Sequence, residues 1–181
     1  MLRPYWQYHQ PLVEIIPYQA RWPAEFRALA SPLRQALGDL AAWRARGMTA
    51  LRMAVNVSWR QLEDEHFVDY LSHTLESFQL RGADLELDLE VTESALQGSP
   101  RSVADLQRLR EQHVRVMIDD FGTDYSALSQ LIRLPVDGLK IDRMFLRDVA
   151  TDPDSRAIVR AIVALGRSMK LDLVGEGVET Q

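Results

Sequence analysis

Two periodicities alternate along this chain. Short apolar runs with strand-like alternation are separated by longer stretches in which apolar residues recur every three or four positions. Leu51 to Val57, Asp84 to Thr92, Val114 to Asp119, Gly138 to Asp142 and Leu171 to Gly175 read as strands. Tyr5 to Ile16 adds an aromatic, β-branched segment interrupted by Pro11, which suits an edge strand or a bulge. Ala24 to Arg46 carries Phe26, Leu29, Leu33, Leu37, Leu40 and Trp43 at helical spacing, and Gly47 follows as a stop. Ser58-Trp59-Arg60-Gln61 is a capping box that predicts a helix to about Gln79. Ser102 to Gln112, a short piece from Tyr125 to Ile132, and Asp152 to Met169 complete the expected helices.

Strands alternating with helices imply parallel βα units, and hence a (β/α) barrel or an open doubly wound sheet. No GxGxxG turn follows any strand, which removes the simplest reason to expect a dinucleotide fold. Polar groups instead gather at the C-terminal ends of several strands, where barrels place their chemistry. A barrel-derived α/β fold is the better reading, as one domain over 1–181.

Composition narrows the function. The 181 residues are 46% hydrophobic and 26% charged, the balance of a globular chain. A net charge of −5 and the lack of any Lys/Arg block argue against a nucleic-acid polymer as partner. The absence of cysteine excludes disulfides and thiolate metal sites. No apolar run reaches the ~18 residues of a membrane span, and MLRPYWQYHQ lacks a signal-peptide core. A cytoplasmic location is the expectation.

The candidate chemistry lies in the strand ends. In LELDLEVTE, Leu85, Leu87, Leu89 and Val91 share one face while Glu86, Asp88, Glu90 and Thr92 share the other. That polar face points either into a barrel or to solvent from an edge strand. Asp119-Asp120 closes the next strand and Phe121-Gly122 turns the chain; the pair fits a shared two-cation site or an ordinary turn before a helix. Lys140 and Asp142 lie on one face of GLKID, and a lysine directed into a small barrel needs carboxylates or phosphate nearby. Glu176 ends the last strand, with Glu179 three residues on, and Asn56 ends MAVN. Together these are oxygen ligands suited to Mg²⁺ or Mn²⁺. His9, His66, His73 and His113 lack ligand spacing.

AVNVS, ELDLEVTES, IDDFGTD, LPVDGLKIDR and VGEGVET, in this order, resemble the successive motifs of the EAL-domain family of bacterial cyclic di-GMP phosphodiesterases. The likeness runs from about Ser31 to Thr180. It implies a modified TIM barrel that uses two Mg²⁺ or Mn²⁺ ions to hydrolyse cyclic di-GMP to pGpG. By the same resemblance, Asn56, Glu90 and Asp119 are ligands of the first ion. Asp119, bridging, with Asp120 and Glu176 holds the second. Lys140 matches the lysine that contacts the attacking water, and Glu93, Asp142 and Glu179 match supporting acids. Arg21, of the pair Arg21-Trp22, is the candidate contact to the substrate phosphate or base. The loop Phe121 to Ser126 resembles the segment that couples the site to dimerisation.

The departures matter equally. Where the family carries Glu-Ala-Leu, this chain reads Pro17-Tyr18-Gln19, so one metal-binding glutamate is absent in that register. Glu14 is the nearest acid, but it matches an aspartate of the opening strand. Asp124 stands where the family has a glycine, and the segment between Trp22 and Arg46 is shortened. With room for about six strands against the ~250 residues of a typical TIM barrel, the expectation is an incomplete TIM-type (β/α) barrel lacking the last two strands. Unpaired sheet edges favour association, as a homodimer or with another protein partner. The functional expectation is a catalytically impaired homologue that binds cyclic di-GMP or regulates through protein contacts. An active phosphodiesterase and a vestigial, non-binding fragment are the alternatives.

Overall fold

The computed structural model describes residues 24–81, 85–92, 100–122 and 131–178. Helix α1 (Ala24–Ala45) buries Leu33, Leu37 and Leu40 of the stripe expected from their spacing, together with Ala30. Five strands follow: β1 (Met53–Asn56), β2 (Leu87–Thr92), β3 (Arg115–Phe121), β4 (Gly138–Ile141) and β5 (Asp172–Gly175). They form one parallel sheet in the order β1-β2-β3-β4-β5. Sequential order without reversal is that of a barrel wall; a doubly wound sheet changes direction at a switch point. The expected strand Tyr5 to Ile16 lies outside the described residues, as does most of the helix Tyr125 to Ile132.

The helices pack on one face of the sheet. Leu87, Leu89, Val91, Val116, Ile118, Leu139 and Ile141 are buried there with Leu71, Leu75, Leu106, Leu109 and Ile162 from the helical layer. The period-two pattern of the strands therefore sets which side chains are left for the opposite face. Helix α4 (Pro100–Glu111) precedes β3.

Two elements differ from expectation. The helix expected from Ser58 to Gln79 is split into α2 (Trp59–Glu63) and α3 (Phe67–Ser77). The capping box forms as expected, with Ser58 and Gln61 bonded reciprocally. Asp64 then turns extended (ψ 128°), and its carboxylate accepts the His66 amide at 2.9 Å. That local bond competes with the helical ladder and ends α2. A further short helix, α5 (Arg143–Leu146), was not expected; Asp142 caps it by accepting the Met144 amide at 2.6 Å. Helix α6 (Pro153–Met169) begins at its Asp152 cap, as its local signals require.

The face opposite the helices is charged in two tiers. Near the N-terminal strand ends, Asp88 is fully buried, with Arg52 donating to it at 2.9 Å and Arg115 forming an ion pair with it at 3.8 Å. Arg52 also pairs with Glu86, and Arg115 donates to Asp172 at 2.6 Å. Met117 is buried beside Glu90 in the β2–β3 register. The second tier lies at the C-terminal ends.

Candidate metal centre

Each acid of the upper tier is placed by its strand. Glu90, on β2 between β1 and β3, is 3% exposed, which eliminates the solvated-edge reading of LELDLEVTE. Asn56 ends β1 in register with Glu90, with its side chain exposed. Glu176 follows β5 directly, and its amide bonds the Ile141 carbonyl at 3.1 Å, carrying the strand pairing one residue further.

Asp119 and Asp120 would point to opposite faces of a regular strand. A β-bulge resolves the conflict. Between Ile118 and Phe121, β3 advances three residues while β4 advances two, from Leu139 to Ile141. Asp120 takes φ +54°, a left-handed conformation that aspartate tolerates better than most residues. Gly122 follows at φ +103°, the expected glycine turn. Oxygens of Asp119, Asp120 and Glu176 consequently lie within 4.8 Å of one another.

Lys140 stands in the middle. Its Nζ donates to Glu90 Oε2 at 2.8 Å and pairs with Asp119 Oδ1 at 2.9 Å and Glu176 Oε1 at 2.7 Å. Burial works against its charge, but the hydrogen bonds it donates to Glu176, Glu90 and Asp119 outweigh it and hold the ammonium above the ordinary lysine range. Burial pushes the Glu90 carboxyl up, against the lowering effect of Lys140. Asp120 is pushed up to about 6 by burial, by its hydrogen bond with Asp142, and by the charges of Asp119, Asp142 and Glu176.

The donors suit a hard divalent cation. All are oxygens, they converge at one rim, and they carry more negative charge than Lys140 cancels. Glu90 Oε1 is buried without a hydrogen-bond partner among the described residues, an orphan acceptor that a cation would satisfy. The structure thus brings together Glu90, Asp119, Asp120, Lys140, Asp142 and Glu176. Asn56 is adjacent by register, while Arg21, Glu93 and Glu179 lie outside the described residues. Sequence reasoning did not foresee the lower tier of Arg52, Asp88 and Arg115, although Arg115 opening the alternation RVM was its visible signal.

A family model described as "EAL domain" matches residues 27–181. Cyclic di-GMP phosphodiesterase NbdA of Pseudomonas aeruginosa is 43% identical over 149 residues, covering 82% of this chain and 19% of that protein. Among solved structures, PaMucR phosphodiesterase in its c-di-GMP complex is 42% identical with a TM-score of 0.75, covering 83% of this chain and 60% of that one. The EAL domain of Mycobacterium smegmatis DcpA is 40% identical with a TM-score of 0.78, covering 83% of this chain and 68% of that one. The chain spans about a fifth of the length of the curated relatives it matches.

Proposed function

This chain belongs to the EAL-domain family, and from that premise we propose that it is a single cytoplasmic domain that binds cyclic di-GMP with Mg²⁺ or Mn²⁺ and hydrolyses it weakly or not at all. The observation that carries the binding half is the convergence of Asp119, Asp120 and Glu176 beside the orphan oxygen of Glu90. Asp119, Asp120 and Glu176 would hold one cation, and Glu90, Asp119 and Asn56 the other. Cations bound there would neutralise phosphate charge and polarise the phosphodiester.

The residues themselves do the rest. Lys140 offers a buried positive charge at the rim, and the bulge at Asp119-Asp120 keeps both carboxylates on one side. Asp142 bonds Asp120 and caps α5, tying that helix to the site. Phosphodiesterase relatives and a neighbour solved as a c-di-GMP complex support the ligand class.

Impairment rests on Pro17-Tyr18-Gln19, which brings no acid where the family carries its glutamate. One carboxylate fewer leaves the first cation less neutralised and its geometry less defined, and both bear on the attacking water.

The test is purified protein with Mn²⁺ and cyclic di-GMP, followed by calorimetry for binding and chromatography for pGpG. Manganese-dependent binding with little or no pGpG is expected. Sustained turnover that vanishes in Glu90→Ala and Lys140→Ala would establish an active enzyme instead. No binding at all would leave a protein-contact module or a relic.

A further inference from the structure

An ammonium group has three protons to donate, and among the described residues Lys140 finds three carboxylates at 2.7–2.9 Å. Its side chain is 4% exposed, and Glu90 opposite it is 3% exposed. This is a tripod. Two of its feet, Asp119 and Glu176, are also members of the group whose oxygens lie within 4.8 Å of Asp120. The third foot, Glu90, accepts from Lys140 through Oε2 while Oε1 has no hydrogen-bond partner among the described residues.

Lys140 and a divalent ion therefore draw on the same carboxylates. Two cations a few ångströms apart over these carboxylates repel one another, most strongly beside the buried Glu90. The lysine is carried on β4, between β3 and β5, so its backbone is pinned on both sides and only its side chain can yield. Its stem has the rotamer freedom to do so.

We propose that Lys140 is a tethered counter-cation: it clasps Glu90, Asp119 and Glu176 until a divalent ion enters, and loading of the ion and withdrawal of the lysine are one exchange. The inference rests on the cation-binding reading above and adds to it a cost of loading that the protein itself imposes. Without a bound ion the lysine keeps buried carboxylates from repelling one another. With one bound, its freed ammonium is delivered to whatever anion sits above the rim.

The test uses manganese alone, without nucleotide, on the wild-type chain and on Lys140→Gln and Lys140→Met. Calorimetry should show both variants binding Mn²⁺ at least tenfold more tightly than wild type. Both should melt at lower temperature in chelator and recover when Mn²⁺ is added. Proton–nitrogen spectra of lysine ammonium groups in the wild type supply a readout that does not depend on variants folding. A slowly exchanging Lys140 resonance in chelator should shift or vanish as Mg²⁺ is added. Equal or weaker Mn²⁺ binding by the variants, with wild-type binding intact, would overturn the exchange and leave the cation site standing. So would a Lys140 resonance that stays put while the Asp119 and Asp120 amides respond to Mg²⁺. Failure of every form to bind Mn²⁺ would overturn both readings.

Discussion

At Asp120, backbone and charge act together. Its φ of +54° and the bulge beside it turn its carboxylate toward Asp119 and Glu176, and burial, the hydrogen bond with Asp142 and the crowding of like charges raise its pKa to about 6. A carboxyl raised above its unfolded value of 3.8 costs folding stability when ionised at neutral pH, because the folded state prefers the protonated form. Asp120→Asn keeps a residue that tolerates the left-handed region and removes the charge. In chelator the variant should therefore melt higher than wild type, while its Mn²⁺ affinity falls at least tenfold by calorimetry. A fall in both would mean that Asp120 supports the fold and not the cation. The sequence shows two adjacent acids before Phe-Gly; it does not show that a bulge aims both at one site, because a bulge is a property of the pairing with β4.

Among the elements, β4 is the most tightly constrained. A methyl group added at Gly138 would meet Met117 Cε at 2.5 Å and the Asp172 carbonyl oxygen at 2.7 Å, and that oxygen belongs to backbone that cannot swing away. Gly138→Ala should cost about 1–3 kcal/mol, read from the urea midpoint. Helix α6 illustrates the opposite case, in which local chemistry settles the boundary. Asp152 accepts the Ser155 amide at 2.8 Å and the Asp154 amide at 3.4 Å, and Pro153 fills the first turn. A hydrogen bond from the Ser155 side chain, and after it those from the two amides, hold the Asp152 carboxyl below its usual value. A depressed carboxyl contributes stability that is fully present above its unfolded value of 3.8 and is lost as pH falls through the lower folded value. Asp152→Ala should lower the melting temperature at pH 7, with the difference from wild type shrinking in acid below pH 3.8. Such caps are legible because donor and acceptor lie within a few residues. The break between α2 and α3 leaves a fainter trace, a step of five residues from Leu62 to Phe67 against the steps of four through Phe67, Leu71 and Leu75.

For the molecule as a whole, the sheet runs β1 to β5 with no strand beyond either end among the described residues. Edges of this kind offer unpaired amides and carbonyls to another chain. Sedimentation velocity over a range of concentrations should show self-association; a monodisperse monomer that unfolds cooperatively would count heavily against it. The sequence by itself determined the alternation of strands and helices, the placing of acids and Lys140 at strand ends, and through its ordered motifs the family. These are legible because strand and helix periods, caps and turns are short-range, and because each polar residue keeps its place in its own strand. Only the tertiary structure decided that Glu90 and Lys140, fifty residues apart, meet at 2.8 Å, and that Asp119 and Glu176 join them. It also decided that Asp88 is held between Arg52 and Arg115 beneath them. Those meetings depend on inter-strand register and on one extra residue in β3, and pairing between distant segments settles both.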